Sequence, residues 1–452
     1  MNFPEAFLLQ MQTQLGDEFS DFLEALDKPA PTSIRWNLQK DHNNKDHFDH
    51  VKWCNSAIYL PERPIFTLDP AFHAGVYYVQ EASSMFVCEA VRQTIKLDKP
   101  IKTLDLCAAP GGKSTLLAST LHKESFLLCN EVIKNRYHIL KENLIKWGYP
   151  NAHASSYDSR GFAALEGFFD LVLVDAPCSG EGLFRKDKRA IAEWSPNNVQ
   201  LCAARQKRIL ADAVKALKYH GILIYCTCTY NDDENEQNAK WLVNEFGLER
   251  LSLEIPEDWG IVSKLYGYQF YPHRVRGEGF YIACFRKKHD ANIKIAKNLP
   301  SKRLKPLPNA LIPVIQKWLK NADDFSFFQD ENGIISGVLQ SQIEDCQIIT
   351  QYLPKTAIGL EIGITKGKDF VPSHALALSI GIAKDLPAVN LDKEQALRFL
   401  KKENIQLEKI PEGWALVRFE GHNLGWIKGI GNRINNYLPK DWRILMELPT
   451  EN

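Results

Sequence analysis

From about residue 77 to 288 the chain alternates between short apolar runs and longer stretches with helical spacing of apolar positions. The runs are "IKTLDLC" (101–107), "SFLLCNE" (125–131), "DLVLVDAP" (170–177), "GILIYCTCT" (221–229) and "GFYIACFRK" (279–287). They are continuous rather than alternating, which is how strands buried on both faces read. Strand runs interleaved with helices predict a parallel α/β sheet over 77–288. Before it, "PEAFLLQMQTQL" has helical periodicity, and "PAPTSIRWNLQK" breaks it and begins an extended piece. Residues 1–76 are therefore predicted to form a mixed α+β segment. Residues 389–452, with "GWALVRFEGHNLGWIKGIGNRINNYLPKDWRIL", carry short strand-like runs with frequent Gly and Asn, and read as a compact tail.

Charge refines this division at one place. Over 452 residues, 55 Lys and Arg balance 55 Asp and Glu, so any basic surface is local. The stretch 286–320 holds ten Lys or Arg against one Asp, with four prolines. It opens the region 289–388, read as a basic linker and an intermediate domain. It is either a solvated tether or a contact for nucleic acid. The first residues carry acids and no basic stretch before an apolar core, unlike a signal peptide. No apolar run approaches membrane-spanning length, so no membrane contact is expected. The ten cysteines lack the density of a disulfide framework, and a reduced, cytoplasmic protein is expected.

Chemistry concentrates in two loops. "TLDLCAAPGGKSTLLAS" reads as strand, Gly-rich turn and helix, a place where a ligand approaches backbone. Gly112-Lys113-Ser114 fits the end of a phosphate-binding loop, but Cys107 stands where that loop needs its first glycine. The rival ligand is S-adenosylmethionine, which needs backbone room for its methionine part and an acid for its ribose. Glu131, Asp158 and Asp175 fall at successive expected strand ends, where open α/β sheets bind ligands. Taken singly, each acid also suits a turn or helix cap.

The second loop, "LVLVDAPCSGEGLFRKD", places Asp175 and Cys178 at the end of one strand, and Cys228 ends the next. Two thiols would then face one crevice. A zinc site would need a second close pair of ligands, which is missing, so no metal is expected. Methylation of a pyrimidine ring carbon suits the set. Addition of a thiolate at C6 makes C5 nucleophilic, an acid near N3 stabilises the adduct, and a base later removes the C5 proton.

These motifs resemble the Sun-type RNA cytosine-C5 methyltransferases. The resemblance runs through "VQEASSM" (79–85), "DLCAAPGGKS" (105–114), "DAPCSGEG" (175–182), "WSP" (194–196), "QKRIL" (206–210), "CTCTYNDDENE" (226–236) and "YPHRVRGEGFYIACF" (271–285). The whole chain is similar to the bacterial RsmF type, which modifies 16S ribosomal RNA. The resemblance implies a Rossmann-like S-adenosylmethionine-dependent methyltransferase core. It also implies an N-terminal α+β RNA-binding segment and a C-terminal PUA-like RNA-binding domain, with an RNA substrate rather than DNA. Carried over by position, Cys107, Ala108, Ala109, Pro110, Gly111, Gly112, Lys113, Glu131, Asp158 and Asp175 contact the cofactor. Cys228 is the nucleophile, seven residues before Asn235, and Cys178 is the second cysteine, implicated in product release. "RWN" (35–37) resembles an Arg-x-Asn element of the RNA-binding segment. Lys113 matches a position near the active site, or else forms a structural ion pair. Cys226, where relatives usually carry Ala or Ser, is expected to pack. "FRKDKR" (184–189) is a candidate phosphate contact or a solvated loop, and Phe184 and Trp194 either assist base extrusion or pack in a core. Two readings compete with the enzyme: a phosphate-loop NTPase, and an RNA-binding protein that retains an inactive methyltransferase fold.

Overall fold

The computed structural model describes residues 3–40, 48–289, 304–367 and 369–448. Helices Glu5–Leu15 and Phe19–Asp27 precede an antiparallel sheet of β1 (Thr32–Trp36), β2 (His50–Val51), β3 (Cys54–Leu60) and β4 (Tyr77–Val79), ordered β2-β3-β1-β4. The expected break at residue 76 therefore falls one residue before the last strand of this sheet.

The second sheet is built from β5 (Lys102–Asp105), β6 (Phe126–Asn130), β7 (Ala152–Ser155), β8 (Phe169–Asp175) and β9 (Leu217–Thr227), all parallel to their neighbours. Further strands are β10 (Glu249–Leu251), β11 (Val262–Ser263), β12 (Tyr268–Phe270) and β13 (Phe280–Arg286). The order is β11-β12-β13-β9-β8-β5-β6-β7, with β10 beside β13. The last strand in sequence, β13, inserts antiparallel between β9 and β12. The chain reverses direction around β5, which pairs with both β6 and β8, and such a switch point opens a crevice at the carboxyl strand ends. Apolar runs become strands here because helices cover both faces, and every residue of β6 is buried.

A third, antiparallel sheet holds β14 (Lys305–Pro306), β15 (Phe325–Gln329), β16 (Ile334–Leu339), β17 (Leu360–Lys366) and β18 (Asp369–Pro372). The fourth holds β19 (Ala388–Asn390), β20 (Gly413–Phe419), β21 (His422–Ile430) and β22 (Arg433–Asn436). Residues 290–303 of the expected basic stretch lie outside the described residues. No helix among the described residues is long and apolar enough to cross a membrane.

An exposed edge at β7 would offer unpaired backbone groups to another chain. Here the third sheet's approach covers it. Ala154 and Ala357 form a β-bridge, and the buried His153 accepts the Gly359 N–H on Nδ1 at 2.9 Å. Burial holds this imidazole at about 4, hence neutral, so its Nε2–H faces the Gln342 Oε1 at 3.0 Å.

The "RWN" element faces inward rather than towards a ligand. Arg35 is 1% exposed; its Nε donates to Gln80 Oε1 at 2.9 Å, and its Nη2 to Thr115 Oγ1 at 2.7 Å and Gly112 O at 3.2 Å. The guanidinium also lies 4.5 Å over the Trp147 ring. Asn37 donates to Gly75 O and Trp147 O, and both residues thus bolt the N-terminal sheet to the second domain. The element that resembles part of an RNA-binding segment is thus an internal brace here, its buried polar side chains held by protein partners. Arg35→Ala strips a buried carbonyl and two side chains of their donor, so a loss of about 2–4 kcal/mol is expected. Equilibrium urea unfolding measures it, and RNA affinity of the fraction that remains folded should be unchanged.

Candidate active site

The carboxyl ends of β5, β6, β7 and β8 line one cleft of about 730 Å³. Asn130 knits these ends together. Its Nδ2 donates to Leu106 O and Tyr157 O, and its Oδ1 accepts from Ser155 Oγ and Tyr157 N–H. The turn after β5 is held by the Ala108 N–H donating to Asn130 O at 2.8 Å. Gly111 caps the following helix, Gly112–Thr120, at φ 115°, a conformation open to glycine and strained for other residues. Cys107, Ala108, Ala109, Pro110, Gly112 and Lys113 all line the cleft.

Glu131 is buried at the end of β6, where Oε1 accepts the Ile133 N–H at 2.9 Å and Oε2 lies 3.5 Å from Arg136. Asp158 also reaches the cleft, yet it is an N-cap, accepting the Arg160 N–H, and it pairs with Arg160 and Arg208 at 2.8 and 3.1 Å. Burial, the largest single influence, raises its carboxyl, but the bonds and charges of these two arginines together outweigh it and hold it below the usual range. Asp175 ends β8, and its Oδ2 lies 2.7 Å from Lys113 Nζ. Burial opposes the lysine's charge, but Asp175 outweighs it and holds the ammonium well above its usual value. Of the two roles open to Lys113, the structure displays the ion pair, made at the cleft wall itself.

The two cysteines meet. Cys178 Sγ lies 3.0 Å from Cys228 Sγ, and the Cys228 N–H donates to Cys178 Sγ at 3.3 Å. Both line the cleft and all ten cysteines are free thiols. The hydrogen bond with Cys228, together with burial, pushes the Cys178 thiol well up, and either sulfur can be the donor across this contact. Cys226 behaves otherwise. It pairs with Asp175 and Ile282 inside the sheet, is fully buried, and belongs to the core that contains Leu171 and Ile224. The strand ends at Thr227, and beyond it Cys228 turns out to the cleft. Gly182 permits this, because a Cβ there would come within 2.9 Å of the Cys228 carbonyl oxygen that the Gly182 N–H bonds.

Two alternatives left open by the sequence are resolved here. Phe184 and Trp194 are buried in a cluster with Phe7, and Trp194 Nε1 donates to Glu181 Oε1 at 3.0 Å, so neither ring is free to stack on a base. In "FRKDKR", Arg185 is buried and pairs with Glu278 at 3.0 Å, and only its neighbours stay available to solvent. Other cleft residues carried no role in the sequence reading: Tyr78, Gln80, Glu81, Arg205, Arg208 and Phe280. The "VQEASSM" motif flagged Gln80 and Glu81 without a role, since only the fold brings the N-terminal sheet's last strand to the cofactor turn.

The cleft fits an adenosyl cofactor. A glycine turn gives backbone access, a buried acid ends the second parallel strand, and the volume exceeds what a small metabolite needs.

The chain was compared with known proteins. Residues 93–286 match the family described as 16S rRNA methyltransferase RsmB/F. Residues 3–82 match the N-terminal domain of 16S rRNA methyltransferase RsmF, and residues 386–444 match the methyltransferase RsmF PUA domain. Ribosomal RNA small subunit methyltransferase F of Aliivibrio salmonicida is 31% identical, with 97% of each chain covered. Its counterpart in Aliivibrio fischeri is 30% identical with the same coverage. Among solved structures, a methyltransferase homolog protein from Pyrococcus horikoshii has a TM-score of 0.52 at 27% identity, covering 63% of this chain and 100% of that one. NSun6 from Pyrococcus horikoshii with SFG has the same fold, with a TM-score of 0.53 at 20% identity over 64% of this chain and 99% of that one.

Two buried carboxyls make stability pH-dependent. Burial raises Asp105, below the cofactor turn, to about 7, against a bond from Ser114 Oγ at 2.6 Å; it raises Glu234 to about 7 as well. Acids raised in the fold favour folding while protonated, and that contribution is complete at about pH 4 and lost as pH rises through about 7. Asp105→Asn keeps an acceptor for Ser114 and cannot ionise. Relative to the parent it should gain on the order of a few kcal/mol between pH 4 and 8 in urea unfolding.

Proposed function

Because the chain belongs to the ribosomal RNA small subunit methyltransferase F family, whose cofactor is S-adenosylmethionine, we propose that it methylates C5 of a cytosine in 16S ribosomal RNA through a covalent Cys228 adduct. The observation that carries this reading is the 3.0 Å approach of Cys178 and Cys228 beside the Lys113–Asp175 pair, all at one cleft.

The cofactor turn from Cys107 to Lys113 holds the methionine part, and Glu131 takes the ribose hydroxyls. Asp158 stands at the adenine side, already oriented by Arg208. When bound, the cofactor supplies an electrophilic methyl group. Cys228 attacks C6 of the cytosine as a thiolate, forming a carbon–sulfur bond and shifting the ring electrons towards C5. Asp175 faces the N3 edge, and Lys113 fixes its carboxylate and balances its charge. After C5 has been methylated, Cys178 takes the C5 proton, the electron pair reforms the C5–C6 double bond, and the Cys228 thiolate leaves. Cys178 gives its own proton to water in the cleft before this step, and that proton is the one the reaction releases overall.

The NTPase reading is not favoured. Lys113, which would reach the phosphates, is spent on Asp175, which would hold magnesium, and Cys107 occupies the first glycine's place. The reading as an inactive RNA-binding relative is opposed by the intact pair of thiols. The PUA-type match and the N-terminal match both support an RNA partner.

Bisulfite mapping of 16S ribosomal RNA treated with each variant tests the roles. Cys228→Ala should lower methylation at least about 1,000-fold, the scale of losing a covalent nucleophile. Cys178→Ala should accumulate an RNA–protein adduct that survives denaturing electrophoresis. Cys226→Ala should methylate normally. A dead Cys226→Ala beside an active Cys228→Ala would reverse the assignment.

A further inference from the structure

The stretch Glu234-Asn235-Glu236 does not line the cleft, yet it bonds to both residues flanking Cys228 and, with Gln206, to both flanking Cys178. Asn235 is fully buried. Its Oδ1 accepts from Thr227 Oγ1 at 2.5 Å, and its Nδ2 donates to Thr229 O at 3.0 Å. These are the two residues flanking Cys228. Gln269 closes the bracket: its Oε1 accepts from Asn235 Nδ2 at 3.0 Å, and its Nε2 donates to Thr229 O and Phe280 O.

Glu234 serves the other thiol in the same way. Its Oε2 accepts the Ser179 N–H at 3.0 Å and the Gln206 Nε2–H at 2.8 Å. Gln206 Nε2 also donates to Pro177 O at 3.0 Å. Pro177 and Ser179 flank Cys178. Ser179 Oγ and Thr229 Oγ1, 3.0 Å apart, tie one loop to the other. Glu236 anchors the turn to the far side of the sheet, accepting from Tyr281 Oη at 2.6 Å and from the N–H groups of Tyr266 and Gly267.

We propose that the Glu234–Asn235 step sets the separation and aim of the two thiols. Asn235 is the positioning residue for Cys228, and Glu234, with Gln206, is the positioning residue for Cys178. The relevance of this to turnover rests on the reading that these two thiols carry the reaction. The physical argument is one of constraint. Each cysteine leaves its strand into a loop, where a single torsion moves Sγ by more than an ångström. Fixing the groups on both sides of each cysteine removes that freedom before any substrate arrives, which is where positioning gains its rate. Asparagine is suited to the central place because one planar amide offers an acceptor to Thr227 and donors to Thr229 and Gln269.

Asn235→Asp keeps the shape but turns both donors into an acceptor facing two carbonyl oxygens. Glu234→Gln keeps an acceptor oxygen, and Glu234→Ala removes it. In the full chain without RNA, diamide oxidises the two thiols to a disulfide, and peptide mass mapping follows Cys178–Cys228 closure. Closure should slow about tenfold in Asn235→Asp and Glu234→Ala and by less than about threefold in Glu234→Gln, with cofactor affinity within about twofold of the parent. Methylation kcat should fall about 10–100-fold in the first two, with RNA KM little changed. Closure at the parent rate in folded Asn235→Asp and Glu234→Ala overturns the proposal. Slowed closure in a protein whose Cys228→Ala variant still methylates leaves the positioning standing and overturns the reading of the reaction. Should Asn235→Asp not fold, Glu234→Ala against Glu234→Gln decides alone, because rescue by the amide requires an acceptor at that place.

Discussion

Parallel pairing of β8 with β9 is the constraint from which the site follows. Asp175 and Cys226 are register partners, so the residues two or three places further on leave the sheet side by side. That adjacency brings one thiol within 3.0 Å of another without a covalent bond. It also explains why Asp175, the last residue of β8, lies beside both. The cofactor turn is the third strand end in this row, because β5 pairs with β8 on the other side. The chemistry proposed for the site is thus laid out along three neighbouring strand ends, in the order methyl donor, acid, nucleophile.

The N-terminal domain is part of this site rather than an appendage to it. Arg35 supports the helix that begins at Gly112, and Gln80 and Tyr78 form one wall of the cleft. On the other flank, Gln10 donates to the buried Glu181, whose carboxylate also takes the Tyr230 N–H and the Trp194 indole. Burial raises that carboxyl, offset by the bonds it accepts. A helix from the first thirty residues therefore reaches the loop next to Cys178. The buried pair of Arg185 and Glu278 joins the same loop to the strand entering β13. Pairs of this kind stabilise little in net terms, but removing one partner is costly, so they hold loops in a single arrangement.

Much of this was legible from sequence because it depends on periodicity and on short motifs. Continuous apolar runs marked β5, β6, β8, β9 and β13, and their ends marked the cleft. The cofactor turn and both thiols were read from local spacing. What escaped reading depends on contacts distant in sequence. Arg35 and Phe184 have the residue types of RNA-binding groups, and only tertiary packing reveals that they are interior. The short β7 was missed as an apolar run, since "AHAS" is half polar and finds its burial only when the third sheet covers it. Cys226 and Cys228 have equal parity along a strand, and the strand ends between them. The bracket around the thiols was invisible for the same reason: Asn235 served as a spacing landmark, while its partner Gln269, and Phe280 that Gln269 bonds in turn, lie far along the chain.

The antiparallel insertion of β13 has a bearing on how the molecule comes into being. The central strand β9 is emitted some sixty residues before the partner that covers its other edge. A ribosome adds about 5–20 residues each second, so β9 waits seconds with one side unpaired. Gln269 and Phe280, which complete the bracket behind Cys228, emerge in that same interval. A nascent chain can therefore acquire its cofactor turn and both of its thiols well before it acquires their geometry. The aim of the two thiols is thus among the last features that this domain can complete during synthesis.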